Sequence, residues 1–178
     1  MLRTKKLVIM GVAVALMLVI PKLIIPIPVF GFSTVKIGFG FIITFLVATQ
    51  LSPLSGGLVA AVANVLFSFL FPVRPYFPGF TLTSFLAGII VGCLVNFFSK
   101  VSKNENSFLV YFISILLARI FAALLNTLWL WLIFSKTSFM FILFSRLASD
   151  GLTALVIAPI CFELTKYFKF MVKSSYGN

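Results

Sequence analysis

The chain has 178 residues, 62% of them hydrophobic and 10% charged, with a net charge of +11 and no histidine. A water-soluble domain of this length cannot hide that much apolar surface, so lipid is the solvent, with room for about five to seven spans of roughly 20 residues each. The basic excess then belongs to the cytoplasmic flanks of membrane helices and does not call for nucleic acid.

The opening stretch "MLRTKKLVIMGVAVALMLVI" has the basic head and apolar run of a secretory signal. No small-residue cleavage site follows it, so it is expected to remain as helix 1, from about Leu7 to Ile20, ended by Pro21, Pro26 and Pro28. "PIPVFGFSTVK" is expected to be a loop leading to a short helix 2, "IGFGFIITFLVATQ". Helix 3 follows "LSPLSGG" and runs to about Phe71, and helix 4 runs from about Thr81 to Phe98. The polar segment "SKVSKNENS" is an aqueous connection. Helix 5 spans about Phe108 to Phe134, and helix 6 follows "SKTS" and ends near Phe168. The expected fold is an all-α integral membrane protein, one polytopic domain over residues 1–178 with six transmembrane helices.

Lys and Arg orient it. With the amino terminus inside, Arg3, Lys5, Lys6, Lys100, Lys103, Lys166, Lys169 and Lys173 collect on the cytoplasmic side, against Lys22, Lys36, Arg74 and Lys136 outside. Both termini are therefore expected in the cytoplasm. The twelve residues "FPVRPYFPGFTL" (71–82) then face outward, with three prolines, four aromatics and one cation between two apolar runs.

Chemistry is bounded by scarcity. Glu105, Asp150 and Glu163 are the only acids, too few for a hydrolase or a metalloenzyme. There is no glycine loop ending in Lys-Ser or Lys-Thr to cradle a nucleotide phosphate, so ATP is not hydrolysed by this chain itself. Cys93 and Cys161 lie in apolar runs and read as free thiols in packed helices. No catalytic residue, metal site or cofactor is expected.

Pairs of small residues four apart mark close helix contacts: Gly11 and Ala15, Gly57 and Ala61, Gly88 and Gly92. The last two pairs read as internal packing. The helix 1 pair serves either internal packing or another subunit. Arg119 in helix 5 and Asp150 in helix 6 fall at similar depth near the midplane, and Arg146 is one turn from Asp150, which predicts an ion cluster. The cluster is either a latch between helices 5 and 6 or, through Arg146, a contact to substrate. Asn126 and Trp129 share a stripe with Arg119 and, with Thr127, suit the edge of a heterocycle. Asn64 reads as an interhelical hydrogen-bonding residue. The rings of Tyr76, Phe77 and Phe80, stiffened by Pro75 and Pro78 beside Arg74, either stack on a flat anionic ligand or form an interfacial aromatic belt.

"YFPGFTLTSFLAG" (76–88) and "LLNTLWLWLIF" (124–134), with "VKIGFGFI" and "SPLSGGLVAAVANVLFSFLFP" in the same order, resemble the folate-type (FolT-like) S components of energy-coupling factor (ECF) vitamin transporters. The resemblance covers roughly residues 7 to 165. It implies a six-helix S-component bundle in the plasma membrane of a bacterium that captures a vitamin from outside. It also implies partners: a transmembrane coupling protein (T component) and two ATP-binding-cassette ATPases. The vitamin site so implied comprises Lys36, Phe39, Arg74, Tyr76, Phe77, Thr81, Asn126, Thr127, Trp129 and Arg146, and Gly11 and Ala15 would meet the coupling protein. Folate fits physically, a flat hydrogen-bonding pterin with a dianionic tail. Two positions depart from the family pattern, Lys36 for a frequent arginine and Asn64 for a frequent acid. Riboflavin and thiamine are the alternatives within the class. A stand-alone secondary transporter is the alternative outside it, although such proteins carry repeats and coupling acids not evident here.

Overall fold

The computed structural model describes residues 2–20, 25–29, 33–37, 39–71, 76–102, 107–134 and 139–176. Among these it forms six helices and one two-stranded hairpin: α1 (Leu2–Val19), β1 (Ile25–Val29), β2 (Ser33–Ile37), α2 (Gly40–Gln50), α3 (Pro53–Leu70), α4 (Pro78–Ser102), α5 (Phe108–Phe134) and α6 (Phe139–Tyr176). The helix count and the bounds of α5 agree with the expectation from sequence.

The α3, α4, α5 and α6 helices are each long and apolar enough to cross a bilayer, and no more than 33% of any such window is buried inside the protein. The remaining apolar surface faces lipid, which needs no covering by protein. The α1 helix carries Arg3, Lys5 and Lys6 at its start, and α2 has only 11 residues, about 16 Å of helix. As expected from the sequence, α2 is short.

Several boundaries differ from the sequence reading: α1 starts at Leu2 rather than Leu7, and α4 runs from Pro78 to Ser102 rather than from Thr81 to Phe98. "PIPVFGFSTVK" is not a plain loop: β1 and β2 pair antiparallel, with Ile27 opposite Val35 and Pro28 opposite Thr34. Each strand has a single neighbour, so the prolines of β1 leave no ladder position unpaired on a second side. "LSPLSGG" belongs largely to α3, which starts at Pro53 with the Ser55 amide donating to the Ser52 hydroxyl at 3.2 Å. A serine cap with proline in the first helical turn is a start signal. The α6 helix extends to Tyr176, and its internal Pro159 lies on the exposed side of the helix, with buried Ile157, Ala158 and Cys161 facing the core.

The main core lies between α2, α4, α5 and α6, where Phe45, Val91, Ile115, Ala118, Ile157 and Cys161 are fully buried. A smaller one, with Ala13, Ile43, Val47 and Val59, joins α1 to α2 and α3. Cys161 is packed as expected, but Cys93 is exposed on α4, turned away from the core. Both thiols are free.

Glycines decide how close the helices come. A Cβ on Gly88 would stand 2.7 Å from the Gly57 amide nitrogen, and one on Gly92 would stand 2.9 Å from Pro53 Cα. One on Gly56 would meet Ala48 Cβ at 2.5 Å. The α3–α4 seam and the α2–α3 contact are therefore backbone-to-backbone, the arrangement small residues permit in lipid.

The α5 and α6 helices are tied differently. Arg119 Nη2 donates to Asp150 Oδ1 in a salt bridge, and the Arg119 guanidinium lies over the Phe41 ring, 5.4 Å from its centroid. The predicted ion pair is present, and it also fastens α2.

Two predictions follow from these contacts. Gly88→Ala should destabilise by about 1–3 kcal/mol through overpacking, against the gain in helix propensity, whereas Gly151→Ala, with nothing within 4 Å of its Cβ, should not. Thermal unfolding in detergent reads both, and equal behaviour of the two variants would remove the seam from the account. Asp150→Asn should cost about 2–3 kcal/mol by leaving Arg119 without its counter-ion, and the double replacement Arg119→Leu/Asp150→Leu should recover much of the loss. A double variant no more stable than Asp150→Asn would contradict the pairing argument.

Candidate ligand cavity

A cavity of about 430 Å³ opens inside the bundle, and every helix contributes to its wall. Met17 comes from α1; Gly40, Phe41 and Thr44 from α2; Ala60, Ala63, Asn64 and Phe67 from α3. The α4 helix supplies Thr83, Ser84 and Ala87, α5 supplies Arg119, Ala122 and Asn126, and α6 supplies Arg146 and Asp150. The volume lies within the range of small-molecule pockets, and the mixture of apolar wall and few polar groups is typical of them.

Two arginines and one aspartate are the charged groups among the described lining residues, leaving the wall one positive charge in excess. Arg119 and Asp150 pair, and Arg146 is near enough for Asp150 to feel its charge. Such a wall favours an anionic ligand.

Two buried polar atoms of this wall have no hydrogen-bond partner among the described residues: Arg119 Nε, a donor, and Asn126 Oδ1, an acceptor. Buried polar atoms are nearly always satisfied, and each exception calls for a reason. A ligand that accepts from Arg119 and donates to Asn126 supplies one.

A scaffold of rings and hydroxyls stands behind the wall. Trp129 Nε1 donates to the Thr83 hydroxyl at 3.1 Å, and that hydroxyl donates to the Gly79 carbonyl at 3.0 Å. Phe77 packs on Trp129 with ring centroids 5.6 Å apart and on Phe80 at 5.9 Å. Gly79 sits beneath this cluster, where a Cβ would come within 2.7 Å of Trp129 Cδ2. The Thr81 hydroxyl is shared between Asn64 Oδ1 at 3.1 Å and Tyr76 Oη at 3.2 Å, and Tyr76 stacks on Phe69 with centroids 5.5 Å apart.

The predicted site residues divide accordingly. Asn126 and Arg146 line the cavity. Thr81 and Trp129 hydrogen-bond to the lining residues Asn64 and Thr83, Phe77 packs on Trp129, and Tyr76 is exposed beside them. Phe39 packs against the main core one residue before the cavity wall begins at Gly40. Thr127 is buried, spends its hydroxyl on the Ala123 carbonyl at 2.7 Å, and is not part of the wall. Arg74 lies outside the described residues, and of Lys36 only the backbone, in β2, is described.

Sequence reasoning missed Phe41, Thr44, Phe67, Thr83 and Ser84 as wall residues. Their types are ordinary in membrane helices, and only the meeting of helices singles them out. Asn64 was legible as an interhelical bond, which it makes to Thr81, but it also faces the cavity.

Residues 5–164 match the protein family described as "ECF transporter, substrate-specific component". A segment of 102 residues is 35% identical to the folate transporter FolT of Clostridium novyi (strain NT) and spans 57% of this chain and 56% of that protein, so about half of each is matched. The crystal structure of FolT bound with folic acid superposes with a TM-score of 0.62 at 28% identity, covering 91% of this chain and 89% of that one. The S component of a bacterial ECF transporter gives 0.67 at 19% identity over 96% and 99%, and the S component for biotin gives 0.65 at 20% over 92% of each, which speaks for the fold alone. The chain belongs to the substrate-specific components of ECF transporters, membrane proteins that bind a substrate for transport.

Proposed function

We propose that this protein captures folate or a close relative in the plasma membrane of a bacterium. It does so as the S component of an importer whose T component and two ATP-binding-cassette ATPases supply the energy. The observation that carries the reading is the cavity wall, with an excess positive charge and a buried, unsatisfied Asn126 oxygen. A pterin edge offers N–H donors to that oxygen, and a glutamate tail offers carboxylates to arginine. The partial match to FolT of Clostridium novyi and the shared fold with folate-bound FolT support the same ligand. Thiamine, a cation, would meet Arg119 and Arg146 unfavourably, and riboflavin carries no carboxylate for them.

With the basic end of α1 on the cytoplasmic side, the cavity lies towards the outer face. In this reading Lys36, Arg74 and Arg146 serve the tail, and Phe39, Tyr76, Phe77, Thr81, Asn126, Thr127 and Trp129 bind or shape the site for the ring. The outward residues 71–82 then cover the ligand rather than merely anchor in the headgroups.

The T component is assigned to α1. Gly11 and Ala15 are exposed on it beside Leu7, Val8 and Val12, and a Cβ on Gly11 would meet nothing within 4 Å. Internal packing therefore does not account for this pair, unlike those of α3 and α4. A smooth apolar strip of this kind suits a partner helix in the membrane.

Titration calorimetry of the purified chain in detergent, without ATP, is expected to give saturable folate binding and none for thiamine. Asn126→Leu should weaken folate ten- to a hundredfold, about 1.4–2.7 kcal/mol, with unchanged membrane insertion. Full affinity in that variant would remove Asn126 from the site. Gly11→Leu should keep folate affinity and lose co-purification with the T component; normal co-purification would place the coupling surface elsewhere.

A further inference from the structure

A second cavity, also about 430 Å³, lies at the opposite, basic end of the bundle. Gln50, Asn96, Ser99, Lys100, Tyr111 and Thr165 are among its lining residues, so it sits between α2, α4, α5 and α6. Along α4 it begins about 12 Å from the first cavity, the distance from Ala87 to Val95. Phe45, Val91, Ile115, Ala118, Ile157 and Cys161, each at most 1% exposed, fill the space between. The lower cavity is thus a separate chamber and no continuation of the upper one.

Its chemistry is one-sided. Lys100 is the charged group among the described lining residues, and no carboxylate faces it there. Gln50, Asn96 and Ser99 add amide and hydroxyl donors. Two other hydroxyls are committed: Thr49 donates to the Phe45 carbonyl at 2.9 Å, and Thr165 to the Cys161 carbonyl at 2.7 Å. Their oxygens therefore present lone pairs to the cavity. The nearby acid Glu163 is occupied by Lys166 at 3.3 Å. One cation with neutral donors, opposite hydroxyl oxygens able only to accept, matches a phosphate ester bearing free hydroxyls.

Phe97 and Val101, neighbours of the lining residues Asn96 and Lys100, are 62% and 67% exposed on α4. They offer an acyl chain an apolar track from the rim. Basic pockets between membrane helices at the headgroup level are suited to anionic lipids. From this geometry we propose that the lower cavity binds a glycerophosphate group, with the phosphate on Lys100 and Ser99 and the glycerol hydroxyls donating to Thr49 and Thr165. The source is either an anionic phospholipid of the adjoining leaflet or a soluble glycerol phosphate.

The test uses the full chain in nanodiscs of phosphatidylglycerol and phosphatidylcholine in equal parts, released into native mass spectrometry, and separate calorimetry with sn-glycerol 3-phosphate. Retained phosphatidylglycerol that falls at least fivefold in Lys100→Gln and in Asn96→Leu, but not in Lys5→Gln/Lys6→Gln, identifies the lipid source. Saturable, Lys100-dependent binding of glycerol 3-phosphate without lipid retention identifies the soluble one. Equal retention of both lipids with no glycerol phosphate binding overturns the proposal, as does a loss as large in Lys5→Gln/Lys6→Gln. Thermal unfolding matched to the unaltered chain verifies that each variant is folded, so a folding defect is not mistaken for a lost site.

Discussion

A charge inside a membrane must find a partner, and the salt bridge of Arg119 with Asp150 organises the bundle around that requirement. It sets α5 against α6, reaches α2 through the face of Phe41, and lies in the wall of the upper cavity. Because one aspartate stands against two arginines there, the same groups that lock the helices leave the wall positive. Of the alternatives that the sequence left for this cluster, the latch is present in the Arg119–Asp150 pair, and all three charged groups line the cavity.

Packing elsewhere is complementary to that tie. Lipid gives helices no hydrophobic reason to associate, so close backbone contact must substitute. Gly56, Gly57, Gly88 and Gly92 draw α2, α3 and α4 together in the half of the bundle near the basic end. Further along α3 and α4 the larger residues Asn64, Phe67, Thr83 and Ser84 line the upper cavity. The core of Phe45, Val91, Ile115 and Ile157 then closes it from below. The upper cavity is therefore a dead-ended chamber whose floor is apolar and fully packed.

Particular residues show how far the sequence could be read. Arg119 and Asp150 were legible as a pair because helix periodicity and connection length put them at equal depth. The α3–α4 glycines were legible because small residues four apart have few other uses in lipid. The β1–β2 hairpin was hidden by its own prolines, which argue against a strand unless it has a free edge. Cys93 looked like a core residue because an apolar helix in lipid shows no amphipathic contrast between its packed and its exposed faces. Tyr76, Phe77 and Trp129 stood out by their rigid setting, and they form the scaffold behind the wall more than the wall itself.

By itself the sequence determined the solvent, the number of helices and the family, because each depends on composition, period or local motif. The tertiary structure alone decided which of many Thr, Ser and Phe residues share a cavity, that Gly11 is exposed while Gly88 is locked, and that two chambers are separated by a packed core. Those properties arise where helices distant in sequence meet. In lipid no pattern of polar and apolar residues announces which face will do so.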